Sequence, residues 1–391
     1  MGKFDEKLER MVHSDVTDVS RLIWRIENTD QYTDLLKYIN SSEHMRNYYC
    51  SIDIEKRKKE LLEIIKDVTS ALANEHDFRK NILNLFEYMR INVSYENIGE
   101  IAGSLSQNAC NCAILGKAVC SGQSNFFNML LRSAGIISYR HRSRFNLVDG
   151  LEDHAVVCIV DDNRNSYLLD PTVNDGVLDS NGYFLMFDPS IDDSAIGNDG
   201  HIREDLYGRP AYKRKEDYGE NTEGLPEYYQ ALKFTKLEVI EARKKVYEYC
   251  LKKYGDLELF KNPIVEGKNI KEKIMNIAKK LEKYVILPEN MEEYDYDLIT
   301  INLNGFEMEI GKCFELLLYA NNIEFDLVAR GNSFDRRKNT SYIDIKDNNY
   351  EYIINTNNLY SINKPQKRWL AELIDGKLKS PQREGDSLEK N

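Results

Sequence analysis

An α+β fold is predicted for this chain of 391 residues. Apolar residues recur at helical spacing through the first 92 residues. A central segment, 116–170, then changes from helical spacing to the alternation that is typical of β-strands. The last third repeats the order of helix, helix and hairpin. These patterns indicate an N-terminal helical region, a mixed core, a helical connector and a second, smaller α+β unit.

The N-terminal region contains four apolar patterns at helical spacing. Their sequences are SRLIWRI, DLLKYI, KKELLEIIKDVTSAL and RKNILNLFEYMRI. Each pattern predicts a helix with one apolar face. We expect these helices to pack against the core that follows them.

The core begins with a cysteine at the start of a predicted amphipathic helix. The apolar positions after Cys120 recur at spacings of three and four: Phe126, Phe127, Leu130, Leu131 and Ala134. Gly135 is a natural end for this helix. The unpaired N–H groups and the dipole at a helix N-terminus favour a thiolate and can hold a developing oxyanion. Cys120 is therefore the candidate nucleophile.

Two predicted strands follow, DHAVVCIV and SYLLD, with turn residues between them. If residues 161–163 form a three-residue loop, Val160 pairs with Arg164 and His154 lies opposite Asp170. A five-residue loop would shift this register by one pair. In either register His154 and Asp170 lie at the same end of the hairpin, where a carboxylate can fix the imidazole tautomer. Cys120, His154 and Asp170 thus have the residue types of a nucleophile, its base and an orienting acid.

These residues resemble the transglutaminase-like superfamily, whose papain-like core has the order Cys, His, Asp. The sequence GKAVCSG at 116–122 matches the bacterial branch, His154-Ala155-Val156 stands for its HAW-like motif, and Asp170-Pro171-Thr172 stands for its DxTW-like motif. The resemblance covers about residues 80 to 190. Val156 and Gln123 replace aromatic residues that are common in the family, and both changes concern substrate subsites.

The resemblance implies a nucleophile helix packed on an antiparallel sheet, and acyl transfer on peptide or protein amide bonds through a thioester. Similarity to bacterial members favours a cysteine peptidase. One alternative is a transglutaminase, a deamidase or a peptide-crosslinking enzyme. Another is a non-catalytic protein-binding module that retains a fossil site. The expected partner is a peptide or protein substrate.

Further site candidates surround the three central residues. Gln107 and Asn108 precede the nucleophile and are candidates for a side-chain oxyanion donor. Three arginines share one face of the next predicted strand: Arg140, Arg142 and Arg144. They either recognise a substrate carboxylate or place charge on a sheet edge, which prevents pairing with another strand. His141 is a rival base, but it lacks a carboxylate on a hairpin partner.

Composition limits the other classes of function. The formal net charge of −12 argues against a nucleic-acid groove. No apolar run approaches a membrane span, and no signal peptide is recognisable, so seven cysteines predict reduced thiols and a cytoplasmic location. Cys110 and Cys112 form a CxC pair that offers metal or redox chemistry as an alternative. Residues that would complete four ligands are missing nearby, so neither a metal nor a cofactor is predicted.

Five segments are predicted. They are a helical region (1–92), a transglutaminase-like catalytic core (93–200), a loop and helical connector (201–262), a second α+β unit (263–362) and a charged, partly disordered tail (363–391). Residues 176–221 are rich in Asp, Gly, Asn and Pro and are expected to form an irregular loop. This loop, which contains His201, is a candidate lid over the site.

The second α+β unit is a candidate degenerate repeat of the core. Aligning Phe314 with Phe127 places Glu307 at the nucleophile, Thr340 near the base and Asn355 at the orienting acid. No histidine follows His201, so Cys313 would have no imidazole partner in its own half. Such a unit is expected to serve in protein docking or self-association.

Overall fold

The computed structural model contains helices and strands in both halves of the chain, in agreement with an α+β fold. The residues that it describes are 2–28, 53–74, 76–95, 105–147, 150–163, 165–172, 183–185, 229–230, 232–284, 300–303, 306–330, 340–347 and 350–355. The chain divides into two compact units, Met1–Tyr249 with Leu303–Met308 and Cys250–Asn302 with Glu309–Asn391. The division at 249/250 falls inside a helix.

The first unit combines a helical N-terminal part with a four-stranded sheet. Its elements are α1 (Gly2–Asn28), α2 (Ile54–Leu72), α3 (Phe78–Asn92), β1 (Ser94–Tyr95), α4 (Ala109–Leu115), β2 (Lys117–Ala118), α5 (Cys120–Ser133), β3 (Ile137–Leu147), β4 (Gly150–Val160), β5 (Ser166–Leu169), β6 (Tyr183–Leu185), β7 (Tyr229–Gln230), β8 (Lys233–Thr235) and α6 (Lys236–Lys253), in which the division falls. The elements that follow are α7 (Glu258–Lys261), α8 (Ile270–Glu282), β9 (Thr300–Leu303), β10 (Phe306–Glu309), α9 (Ile310–Ala320), β11 (Asp326–Arg330), β12 (Thr340–Asp347) and β13 (Tyr350–Asn355). They belong to the second unit, except for residues 303–308 in β9 and β10, which belong to the first.

The segment before the nucleophile contains a short turn and a helix. A 3₁₀ turn at Leu105–Gln107 is followed by α4, which contains both Cys110 and Cys112. Asp15 of α1 caps this helix: the N–H groups of Ala109 and Cys110 each donate to one of its carboxylate oxygens, at 2.8 Å. A partner 94 residues away in the sequence thus satisfies the orphan donors at the start of α4.

The motif GKAVCSG has a physical explanation at each turn. Gly116 adopts a left-handed conformation (φ 74°) at the end of α4, which a glycine accommodates without strain. Residues 117–118 then pair in parallel with β1. Val119 is extended and begins α5 without a side-chain cap. A Cβ atom on Gly122 would overlap the carbonyl oxygen of Ser106, so only glycine lets the 3₁₀ turn lie this close to α5.

The main sheet of the first unit has the strand order β3-β4-β5-β7, which makes β3 an edge strand. Of the two loop lengths considered for the β4–β5 turn, the five-residue loop is confirmed, and the three-residue loop with its pair of Val160 and Arg164 does not form. Val160 pairs with Ser166, so five residues, 161–165, connect β4 and β5. The turn is longer because Asp161 closes it: its carboxylate accepts from the N–H of Asn165 at 2.8 Å and from the hydroxyl of Tyr167 at 3.0 Å.

The connector also differs in part from expectation. Its predicted helical part is preceded by β7 and β8, and α6 starts only at Lys236. A buried ion cluster joins α6 to α3. Glu87 Oε2 lies 2.7 Å from Arg90 Nε and 3.2 Å from Arg243 Nε. Among its other partners, Arg90 donates to the hydroxyl of Tyr247, at 3.3 Å.

In the second unit, α9 ends as α5 does in the first. The N–H groups of Ala134 and Ile136 bond to the carbonyls of Leu130 and Leu131, and the same bonds recur 187 residues later. Their counterparts run from Asn321 to Leu317 and from Ile323 to Leu318. The residue between them is left-handed in both places: φ is 79° at Gly135 and 53° at Asn322.

The strands that follow the two helices have matching order. In each unit three consecutive strands form an antiparallel meander, β3-β4-β5 and β11-β12-β13. The same shift of 187 residues aligns Tyr139 of β3 with Asp326 of β11. Their pairing partners on the next strand, Cys158 and Asp344, can then be aligned with each other.

Counting along the partner strands extends this correspondence. Four residues before Cys158 and Asp344 stand His154 and Thr340. Their neighbours on the third strands are Leu168 and Ile353, and two residues beyond those stand Asp170 and Asn355.

Several expectations lie outside the described residues. These are the helix predicted from DLLKYI, most of the candidate lid at 176–221 with His201, the tail 363–391, and the side chains of His141, Arg142 and Arg144.

Candidate active site

The structure brings Cys120, His154 and Asp170 together. Cys120 is the first residue of α5 and is partly exposed, whereas His154 on β4 is only 8% exposed. His154 Nε2 lies 2.8 Å from Asp170 Oδ2, and the Cys120 thiol is a hydrogen-bond partner of the same imidazole. Because Nε2 is engaged by the carboxylate, Nδ1 is the ring nitrogen that remains for the thiol. The imidazole therefore bridges the sulfur and the carboxylate.

The five-residue turn makes this bridge diagonal. In the observed register Asp170 follows the pair Val157–Leu169, so it stands beside Val156 rather than opposite His154. Diagonal neighbours on one face of an antiparallel pair remain within reach of long side chains. The carboxylate is fixed further by the N–H of Thr172, which donates to Asp170 Oδ1 at 2.9 Å. Each oxygen of the buried carboxylate thus has a defined partner.

The surroundings of His154 favour its charged form. Burial lowers the pKa of the imidazole, but the charge and hydrogen bond of Asp170, followed by those of Cys120, outweigh it and raise the pKa to about 10. At neutral pH the imidazole is then an imidazolium. A cation beside the sulfur stabilises the thiolate form, which is the nucleophilic state of a cysteine.

A stripe of polar residues attaches α5 to the sheet, and the apolar pattern in the sequence did not reveal it. Ser124 donates to the carbonyl oxygen of Ala155 at 2.7 Å, next to His154. One turn later, Asn128 Oδ1 accepts from Ser138 at 2.7 Å, and Arg132 then donates to the carbonyl of Ser138. Residues four apart lie on one helix face, and Cys120 stands four before Ser124. The nucleophile thus begins the stripe that faces the sheet.

Gln123 does not stand in a substrate subsite. Its side chain is 2% exposed, and Nε2 donates to the carbonyl oxygens of Ala118 at 3.0 Å and Ser94 at 3.4 Å. Val156, the other departure from the family pattern, is also 2% exposed. Both substitutions are therefore accommodated within the core of the first unit.

The two oxyanion candidates lie beside the first turns of α5. The backbone oxygen of Asn108 lies 3.1 Å from where a Cβ on Gly122 would be, and that of Ser106 lies closer still. The carbonyl of Gln107 accepts from Asn125 at 3.1 Å. Gln107 is exposed and Asn108 is half-buried, so both residues are accessible to solvent.

Of the three arginines, Arg140 is the one with a described side chain. It is exposed, and it donates to Ser121 Oγ at 2.7 Å, one residue after the nucleophile. Arg140, Arg142 and Arg144 pair with Val157, Ala155 and Asp153, so they alternate along the edge strand as the sequence predicted.

The CxC pair has the surroundings of buried thiols. Cys110 and Cys112 are at most 1% exposed. Burial, followed by the charge of Asp15, raises the pKa of Cys112 well above its usual value. Within the part of the chain that the structure describes, no group of three or more His, Cys, Asp or Glu side chains could hold a metal ion. No helix in that part is both long and apolar enough to cross a membrane.

Comparison with known proteins gave no relative. Neither the family models nor the curated proteins include one that matches this chain. The function therefore has to be inferred from the geometry of the site.

Proposed function

We propose that the protein is a cysteine-dependent acyl-transfer enzyme acting on peptide or protein amide bonds, and specifically a cysteine peptidase of the transglutaminase-like type. The arrangement of Cys120, His154 and Asp170 carries this proposal. A thiol at an uncapped helix start, a bridging imidazole and a buried carboxylate are what nucleophilic catalysis requires. The papain-like order of the three residues along the chain adds support.

The reaction follows from these positions. The Cys120 thiolate attacks the amide carbonyl carbon, and the oxyanion forms near the N–H groups at the start of α5. The His154 imidazolium gives its proton to the leaving nitrogen, the C–N bond breaks and a thioester remains. Water then attacks the thioester while His154 takes a proton from it, the C–S bond breaks, and the carboxylic acid leaves as the Cys120 thiolate and the His154 imidazolium are restored. Asp170 holds the imidazole in place throughout.

The first experiment measures alkylation of each cysteine by iodoacetamide between pH 5 and 9, with peptide mass spectrometry. We expect Cys120 to react far faster than the other six cysteines at pH 6, and to lose this advantage in His154→Ala. Cys313→Ala, which changes a buried thiol in the second unit, is the matched control. An unselective Cys120 would refute the proposal. Incubating the active protein with peptides and a primary amine then identifies the acceptor from the product, a free acid for water or an amide for the amine.

We also propose that the second unit is a degenerate, non-catalytic copy of the core. The shared helix end and the matching strand registers support this, and they set Thr340 and Asn355 at the places of His154 and Asp170. The same offset of 187 sets Glu307 at the place of Cys120. Cys313 is fully buried, and burial followed by the charge of Glu309 raises the pKa of its thiol far above the usual value. Cys313→Ala should therefore retain the activity, and its loss would contradict this assignment.

A further inference from the structure

The guanidinium of Arg140 lies next to the proposed reaction centre and lacks an acidic partner among the described residues. Among those residues, it donates a hydrogen bond to Ser121 Oγ at 2.7 Å. A guanidinium has five N–H donors in a planar fork, so one bond to a hydroxyl leaves most of them available. Ser121 directly follows Cys120, which fixes this cation within one residue of the sulfur.

The residue that precedes Arg140 on β3 also lies against cations. Tyr139, which precedes Arg140, has Lys7 Nζ 5.7 Å and Arg132 Cζ 5.2 Å from its ring centroid. The charge of Arg132 is the main reason that the pKa of Lys7 is lowered, with burial and Arg10 contributing less. The His154 imidazolium adds a further cation, and the Asp170 carboxylate that is bonded to it is buried.

We propose that Arg140 is a specificity-determining residue that binds a carboxylate on the substrate next to the scissile amide. The inference rests on the proposed thiol chemistry of Cys120. A planar fork matches a carboxylate with two parallel hydrogen bonds. Consecutive Cα atoms are about 3.8 Å apart, so a group bound beside Ser121 belongs to a residue one or two positions from the reacting carbonyl. The carboxylate is either the side chain of an acidic residue or the C-terminal carboxylate of the peptide.

Charge on an edge strand can also serve only to prevent pairing with another strand, and β3 is an edge strand. That role requires no contact with the helix of the nucleophile, whereas Arg140 is hydrogen-bonded to Ser121 in the first turn of α5. The two roles predict different behaviour of Cys120 toward charged reagents, and this difference gives a test that needs no known substrate.

The test compares alkylation of Cys120 by iodoacetate and by iodoacetamide, two probes that differ in carrying a carboxylate or a neutral amide. We expect the iodoacetate-to-iodoacetamide rate ratio to fall on the order of 10-fold in Arg140→Gln, because a charge-assisted hydrogen bond to the reagent is lost. Arg21→Gln, which changes an exposed arginine paired with Asp18, is the matched control and should keep the wild-type ratio. Added salt should lower the wild-type ratio as well.

An equal ratio in the wild type and in Arg140→Gln overturns the inference while leaving the proposed function intact. If neither probe labels Cys120 selectively, both are overturned. Peptide pairs then identify the source of the carboxylate: Glu against Gln near the cleaved bond tests a side chain, and a free against an amidated C-terminus tests the terminal group. A preference for one acidic member, lost in Arg140→Gln, supports the inference, and turnover without any such preference contradicts it.

Discussion

Replacing Asp170 by asparagine tests the electrostatic account of the site with little change in shape. Asparagine keeps an oxygen that can accept from the N–H of Thr172, but it removes the negative charge beside His154 Nε2. In the wild type, burial lowers the pKa of His154, and Asp170 is the first of the groups that raise it, to about 10. Without this charge burial prevails, and the imidazole should be neutral at pH 7.

The magnitude follows from the pKa. The interval between the ordinary value of 6.5 and about 10 corresponds to roughly 5 kcal/mol in favour of the imidazolium. Each pKa unit is about a tenfold change in the ratio of the two forms, so a return of the His154 pKa from about 10 to 6.5 would lower the ratio of imidazolium to imidazole at pH 6.5 by about three orders of magnitude, and alkylation of Cys120 should slow markedly. The assay is the pH–rate profile of Cys120 alkylation, together with an NMR titration of the His154 ring.

The pH dependence of the free energy of unfolding tests the same charge interaction independently. Because the pKa of His154 is raised on folding, its contribution to the free energy of unfolding is fully present below pH 6.5 and is lost as the pH rises toward about 10. This decline should disappear in Asp170→Asn when urea unfolding is measured at pH 6, 8 and 10. Asp162→Asn, an exposed change in the turn of the same hairpin, should behave like the wild type. A wild-type alkylation profile in Asp170→Asn would refute the reasoning.

Two further predictions concern the scaffold. Gly122→Ala should lower the free energy of unfolding by about 1–3 kcal/mol and slow Cys120 alkylation, because its Cβ would overlap the carbonyl oxygen of Ser106. Urea titration of this variant and of Ser70→Ala, an exposed change, is the measurement, and equal midpoints would contradict the close approach. Glu87→Gln should cost about 3–5 kcal/mol, since it leaves the buried Arg90 and the nearly buried Arg243 without their anion. Burial raises the pKa of Glu87, but Arg243 and Arg90 outweigh it and lower the pKa overall, so the wild-type contribution is present above pH 4.5 and is lost as the pH falls below it. Acid unfolding should therefore show a weaker pH dependence in the variant, and an unchanged curve would refute this role.

The elements that are amphipathic on their own could be predicted from the sequence. The helix after Cys120 and the strands that carry His154 and Asp170 have clear periodicity. Cysteine, histidine and aspartate are also the residue types that a thiol nucleophile, its base and an orienting acid require. The length of the turn between the strands stayed open between three and five residues, because it depends on the side chain of Asp161, which closes the turn across five residues.

Features that depend on distant partners were not predictable in this way. Helix α4 has seven residues, and its start is capped by Asp15 from the other end of the first unit. Ser124 also looked like an ordinary polar residue, because its significance lies in the carbonyl of Ala155, 31 residues away. A second periodicity, polar residues four apart beginning at Cys120, is the signal that would have revealed it.

The late start of α9 restricts how the second unit can change in evolution. Glu307, which the proposed repeat aligns with the nucleophile, lies in β10, three residues before the helix begins at Ile310. In an extended strand successive N–H groups alternate in direction, whereas at a helix start they converge. A cysteine at 307, even with a histidine at 340 and an aspartate at 355, would lack the donors that an oxyanion needs. Under the proposed repeat, a second catalytic centre would therefore require one more helical turn in addition to these three substitutions.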